Sequence, residues 1–308
     1  MNAVILQLGL VFAVSTVALG QSVSAWPEKP VPSTSERVAI LEDKRIKESS
    51  GLIQGRRDPS IFWTVNDSGG EPCVFAIDHS GKTRAKVRVR EAANFDWEDL
   101  TLGKDDQGSP VLLIGDIGDN FQMRPTIQVY QIPEPGIVAP GKPAAETEST
   151  VPHIWRAHYP DGKHNAESLL VHPQTNRLYI LTKSEDGHCA LYAFPQPLQD
   201  KTSMPLEKIA DLRFPTLIRP GKRPHDNCMT TGAGFSPDGT RLIVATYSSL
   251  YEWTLPQDQP LAEAMKQPPV RIEPELVPQV EGVCYDADSK TIWFTSERLP
   301  TPLMRVKR

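Results

Sequence analysis

Five times along the chain the same local layout returns: a small or acidic start, a short apolar strand, a turn, a second β-rich strand and a polar cluster. The units open at Glu48-Ser-Ser-Gly-Leu-Ile, Asp96-Trp-Glu-Asp-Leu-Thr, Asn165-Ala-Glu-Ser-Leu-Leu, Met229-Thr-Thr-Gly-Ala-Gly and Gln279-Val-Glu-Gly-Val-Cys. Their second strands are Ile61-Phe-Trp-Thr-Val, Val111-Leu-Leu-Ile-Gly, Leu178-Tyr-Ile-Leu-Thr, Leu242-Ile-Val-Ala-Thr and Thr291-Ile-Trp-Phe-Thr. Short β-branched and aromatic runs separated by turns such as Ser236-Pro-Asp-Gly-Thr read as antiparallel hairpins, not helices. Third strands follow in most units, among them Cys73-Val-Phe-Ala-Ile and Leu250-Tyr-Glu-Trp-Thr. Proline agrees: 29 of 308 residues, about 9 % against a background of about 5 %, spread evenly enough to punctuate strands and oppose long helices.

Successive units start 48, 69, 64 and 50 residues apart. Four-stranded blades of generous length fit that spacing, so the expected fold is an all-β, five-bladed β-propeller. The last unit ends after a third strand, Leu303-Met-Arg-Val-Lys, while Arg37-Val-Ala-Ile-Leu precedes the first unit with no blade of its own. The N-terminal strand is therefore expected to complete the last blade, which removes the free sheet edges of an open array. A six-bladed ring, with a blade hidden in residues 133–160 or 196–224, is the alternative count; a two-sheet sandwich fits the repeat less well.

The first 25 residues carry no charged side chain, contain the apolar run Val4 to Val14, and end in Val23-Ser24-Ala25. This reads as a signal peptide cleaved after Ala25, followed by a Pro-rich lead over residues 26–36 and a single propeller domain over 37–308. A secreted or periplasmic, monomeric protein is expected, and no later segment has the run of about 20 apolar residues a membrane span needs. With 33 Lys and Arg against 38 Asp and Glu, a net charge of −5 argues against nucleic-acid binding.

Alternation along each first strand gives the register of the central channel. The first inward layer is Glu48, Asp96, Asn165, Met229 and Gln279; the second is Ser50, Glu98, Glu167, Thr231 and Glu281; the third is Leu52, Leu100, Leu169, Ala233 and Val283. The opposite-facing residues Gly51, Asp99, Ser168, Gly232 and Gly282 are mostly small, as expected where neighbouring first strands touch. Carboxylates crowded about one axis repel unless a cation joins them. An oxygen-only set drawn from Ser50, Asp96, Glu98, Glu167, Thr231 and Glu281 suits Ca²⁺ far better than Zn²⁺. Solvation, or pairing with Lys183, Arg124 and Arg298, is the alternative fate of these acids.

The second strands end on the face where the first strands begin, so their polar caps gather at the same mouth. Asn66, Asp67, Asp116, Asp119, Asn120, Arg124, Lys183 and Arg298 are candidate ligand-binding residues there. Asp116-x-x-Asp119-Asn120 reads equally as a clamp or as an Asx-turn. His164 and His225 stand at first-strand entrances and are candidate general bases. Walker, dinucleotide, His-Glu-x-x-His and Gly-x-Ser-x-Gly motifs are absent from the sequence. Of the four cysteines, Cys189 and Cys228 are candidates for a disulfide between neighbouring blades, with a two-His, two-Cys metal site as the alternative; Cys284 reads as a buried thiol.

Ser, Glu, Glu, Thr and Glu in the five channel positions resemble the calcium-activated nucleotidases (soluble apyrases), five-bladed propellers whose axial Ca²⁺ is held by Ser and Glu side chains. Lys183-Ser-Glu is similar to a Lys-Ser-Glu stretch of that family. Asp96-Trp-Glu-Asp-Leu and Ile114-Gly-Asp-Ile-Gly-Asp-Asn resemble secreted bacterial propellers of uncharacterised function. The resemblance implies a metal-dependent hydrolase of a small anionic ester, phosphoanhydride or lactone. A non-catalytic propeller with a structural Ca²⁺, presenting its mouth to a glycan or protein, is the other reading.

Overall fold

The computed structural model describes Trp26, residues 29–137, 144–200, 202–217, 221, 223–275 and 277–307, apart from the side chains of 224 and 225. The leader and its expected cleavage after Ala25 lie outside the described residues. The chain begins with β1 (Thr34–Ile40), which stands apart from the unit that follows it. Blade 1 contains β2 (Ser49–Gln54), β3 (Ile61–Asn66), β4 (Cys73–Asp78) and β5 (Thr83–Arg88). Then come β6 (Trp97–Lys104), β7 (Pro110–Asp116), β8 (Ile127–Pro133), β9 (Ala145–Glu148) and β10 (His153–His158). The third unit supplies β11 (Asn165–Val171), β12 (Leu178–Lys183), β13 (His188–Ala193), β14 (Ser203–Pro205) and β15 (Glu207–Arg213). The fourth has β16 (Thr230–Phe235), β17 (Arg241–Thr246), β18 (Leu250–Thr254), a single helical turn α1 (Leu261–Ala264) and β19 (Val270–Ile272). The last has β20 (Val280–Tyr285), β21 (Ile292–Ser296) and β22 (Pro302–Lys307).

These strands form five antiparallel blades, so the protein is a five-bladed β-propeller. β1 pairs with β22 from Thr34↔Lys307 to Ile40↔Pro302 and completes the last blade, as the unmatched N-terminal strand implied. The stretches that could have hidden a sixth blade instead hold outer strands and two short strands that reach backwards. β9 adds in parallel to β5 of blade 1, and β14 adds in parallel to β10 of blade 2. Val31 makes a parallel bridge to Ile272 of blade 4 in the same manner. In each case the segment leading into one blade's outermost strand first covers the outermost strand of the blade before it. Each such step ties two blades by backbone hydrogen bonds in addition to side-chain packing.

The apolar core is divided into five layers, one between each pair of neighbouring blades. Trp63, Trp97, Trp253 and Trp293 are fully buried in them; each such ring contributes about 4–6 kcal/mol of transfer free energy before ordering entropy is counted. Around the axis the first strands touch backbone to backbone, and here glycine is required for space. A Cβ on Gly282 would lie 2.6 Å from the carbonyl carbon of Gly51, and one on Gly232 2.6 Å from the carbonyl oxygen of Glu281.

Gly282→Ala therefore forces the first strands of blades 5 and 1 apart, and a loss of about 2 kcal/mol or more is expected. Gly136→Ala, at a position with open space around it, should leave melting unchanged. Calorimetric unfolding of the two variants checks both; equal melting would mean that the axial contact is looser than described.

Candidate functional site

Every first strand carries a β-bulge at its second layer. Trp97 pairs with Asp116 but Asp99 pairs with Gly115, so Glu98 is the extra residue. Glu167 and Thr231 are extra in the same way, and in blades 1 and 5 the shift spans Ser50-Gly51 and Glu281-Gly282. A bulge bends the strand and re-aims its side chain; here five of them aim one layer at the axis. All five residues of that layer are buried.

The two hydroxyls of the layer bind the neighbouring blade: Ser50 Oγ donates to the Glu98 carbonyl, and Thr231 Oγ1 donates to the Val280 carbonyl at 2.8 Å. The three carboxylates remain. Among the described residues, their only ion pair is Lys183 on Glu167, and Lys183 Nζ also donates to Tyr247 Oη at 2.7 Å while lying 4.7 Å from that ring's centre. Glu281 Oε2 is buried with no hydrogen-bond partner. Below, Leu52, Leu100, Ala233 and Val283 form an apolar floor, whose far side lines a pocket of about 180 Å³ shared with Gln54, Arg56 and Ser236 on the opposite face.

Above this layer the mouth ends of the second strands bring Asp67, Lys183, Tyr247 and Glu297, while Ile117 at the corresponding position packs into the apolar layer between blades 2 and 3. Asp67, Asp96 and Glu98 bring carboxylate oxygens within 4.8 Å of one another. Gly118 closes over that group. A Cβ there would collide with Oε1 of Glu98 and Oδ2 of Asp96, so the glycine leaves a cradle beside two acids.

The electrostatics follow from burial and like charge. Burial, then Glu167 and Asp67, hold Glu98 well above the usual carboxylate range; burial and Glu167 do the same to Glu281. Burial pushes Glu167 up to about 7 although Lys183 opposes it, and burial with the Asp67 charge pushes Asp96 up to about 6. Asp67 and Glu297 are raised, chiefly by burial. For Lys183 burial works against the charge, but Glu167 and Glu281 outweigh it and keep the ammonium protonated.

The remaining sequence candidates are spoken for. Asp116, fully buried, pairs with Arg124 at 2.7 Å. Arg124 also donates to the Gly118 carbonyl at 2.8 Å, so it braces the loop and does not face the axis. Asp119 accepts from the backbone N–H groups of Met123 and Arg124, four and five residues on, so it closes its own loop by longer bonds than an Asx-turn makes. Asn120 accepts from Asn165 Nδ2, whose Oδ1 accepts from Asp119 N. Asn66 satisfies the backbone of Arg45, Lys47 and Glu48. Arg298 is bound to Gln279. His164 sits in an outer cluster with Asp161 and Tyr192, 3.1 Å from Asp161 Oδ1, away from the carboxylate ring. His225 falls in a 3-10 turn at Pro224–Asn227, with its side chain outside the described residues.

The Cys189–Cys228 bridge is a correction: all four cysteines are unbridged and buried. Cys189 and Cys228 share one apolar layer, but Cys189 Sγ lies 3.6 Å from Thr230 Oγ1 and Cys228 Sγ donates to the Glu185 carbonyl at 3.3 Å. Burial pushes the Cys189 thiol up to about 12, against thiolate chemistry.

Two groups that the sequence places in the polar caps of the mouth, but not among the ligand-binding candidates, belong to the site: Tyr247 and Glu297. Both follow the last residue of a second strand, the position of Asp67, and that equivalence was their available signal. The mouth loops also expose Phe95, Phe121, Met123 and Leu299, four of the six large apolar side chains exposed among the described residues. A ligand reaching the acidic pit passes an apolar rim.

No family model matches the chain, and no curated protein matches it. Among solved structures, the β-propeller domain of Cps50 (Swd1) from Myceliophteria thermophila is similar to 81 % of this chain at 12 % identity, with a TM-score of 0.39. The matched part spans 62 % of that chain.

Acids whose folded pKa is raised oppose folding at high pH, and that opposition fades as they take up protons between their folded and unfolded values. With Glu167 near 7 and Asp96 near 6, chelator-treated protein should melt at a higher temperature at pH 5.5 than at pH 8. Thermal unfolding across that window checks the sign; a fall in melting temperature on acidification would contradict the assigned crowding.

Proposed function

We propose that the mouth binds one Ca²⁺ at the axis, and that the protein is an exported, cation-dependent hydrolase of a small anionic ester, phosphoanhydride or lactone. One observation carries the cation: three buried carboxylates converge on the axis with a single lysine among them, and Glu281 keeps a buried oxygen without a partner. Burying like charges without compensation costs several kcal/mol per ion, and a hard divalent cation with oxygen ligands removes that cost. Glu98, Glu167 and Glu281 would hold the ion, with Ser50, Thr231, Asp67 and Asp96 within the same mouth. A bound cation would supply Lewis acidity toward an anionic oxygen of the substrate. Lys183 would hold anionic substrate atoms, and the exposed rim would admit an apolar substituent.

The engagement of His164 with Asp161 and Tyr192 favours a second reading, in which the ion is structural and the propeller is a binding module for a glycan or protein. Hydrolysis of a phosphoester, phosphoanhydride and lactone panel with and without chelator separates the two. Cation-dependent turnover supports the enzyme; cation binding with no turnover supports the module.

For the cation itself, Ca²⁺ at one hundred times its dissociation constant should stabilise the fold by about 2.7 kcal/mol. Glu98→Gln and Glu281→Gln should each weaken affinity about tenfold or more by calorimetric titration. Wild-type affinity in both variants, or melting indifferent to Ca²⁺ and chelator, would remove the axial site.

A further inference from the structure

On the face opposite the mouth, the layer between blades 2 and 3 opens into a groove of about 560 Å³, within the size range of small-molecule sites. Its floor is apolar, from Val111, Leu113 and Leu178. One wall is an aromatic platform. His153 and Trp155 stand two residues apart on β10, so they share a face of the strand. Their rings are stacked at 7° with centroids 5.5 Å apart, and His153 is exposed while Trp155 is half-buried.

Around the platform stand the amides of Gln107, Gln131 and Gln196. Trp155 Nε1 donates to Gln131 Oε1 at 3.0 Å, which fixes the indole and leaves the amide nitrogen of Gln131 as a donor. Gln196 donates to the Thr175 carbonyl through Nε2 and keeps its oxygen as an acceptor. Gln107 lies in the exposed turn between β6 and β7. Among the described residues the only cation lining the groove, Lys104, is outnumbered by Asp105 and Asp106, which disfavours phosphorylated ligands.

We propose that this groove is a carbohydrate-binding site for a neutral pyranose within a di- or oligosaccharide. A pyranose offers one face of C–H groups, whose slight positive charge suits the negative face of a stacked aromatic ring. Its rim of vicinal hydroxyls both donates and accepts, as do side-chain amides. A flat aromatic wall, an apolar floor and three amides with little net charge match those two faces together. Nucleotide ligands would instead ask for cations. The site is separate from the cation at the mouth and does not depend on it.

The test is calorimetric and Trp-fluorescence titration of the full chain with maltose, cellobiose, lactose and diacetylchitobiose. At least one sugar should bind saturably, with an affinity between micromolar and millimolar, and shift the Trp155 emission. Trp155→Ala should weaken binding tenfold or more, and Trp155→Phe should retain part of it. The exposed pair Gln107→Ala and Gln196→Ala should weaken it severalfold with melting unchanged, and this pair decides the matter if Trp155→Ala fails to fold. Chelator and Glu281→Gln should leave sugar binding as it was. The proposal is overturned if no sugar saturates at about 20 mM, if the glutamine pair binds as wild type does, or if binding follows the mouth variants.

Discussion

The contact on which the molecule turns is the mutual approach of its five first strands around one axis. They come close enough for the backbones of Gly51 and Gly282 to exclude a methyl group. So tight a ring leaves no room for large side chains on the inter-strand face. The bulges reconcile that crowding with the ladder. Each lets one residue leave the pairing and turn inward, and three of those five residues are glutamates. The same geometry that closes the ring therefore concentrates charge on its axis. Asp99, on the opposite side of its strand, shows the structural use of a carboxylate in this setting: it accepts the Leu169 amide at 2.9 Å and ties blade 2 to blade 3.

The layout of strands was largely legible because the units repeat. One hairpin with a turn is ambiguous, but five with the same offsets fix strand starts, second strands and the closing role of the N-terminal strand. The second inward layer was legible for the same reason, although simple alternation does not contain the bulges that orient it. What could not be read was the side of each strand's end that a loop residue would face. Asp116, Asp119, Asn120 and Arg124 have the composition of a binding clamp, yet they spend their hydrogen bonds on one another, on Asn165 and on loop backbone. His164 is polar and stands at a strand entrance, but Asp161 lies three residues before it and Tyr192 on β13 of the same blade, and these partners capture it. Cys189 and Cys228 are neighbours in one layer, and proximity in a layer does not set the geometry a bridge needs.

The outer rim follows a different logic from the axis. Strands β9 and β14 and the Val31 bridge each extend a blade with backbone from the next unit, so the borders between units in sequence and in space do not coincide. At blade 3 the corresponding lead segment forms α1, which packs against β15 in place of a strand. The sequence offers no periodic signal for these additions because each is three or four residues long at most and pairs with a distant segment. They also explain why the longest inter-unit stretches did not hold another blade: the extra residues are the cost of overlap.

The pairing of β1 with β22 has a consequence for how the molecule is made. Glu36 and Arg305, ion-paired across that seam, lie 269 residues apart. A ribosome delivers β1 well before its partner, so the strand that seals the ring waits through synthesis of the four intervening blades with its hydrogen-bonding edge unmet. Four complete blades can form in that interval, but the circle cannot. Contacts of such long range are slow to find, and an unmatched edge held for that long is open to the wrong partner. Vectorial synthesis thus makes the final blade a checkpoint on completeness: a chain interrupted before Pro302 has every early blade and no ring.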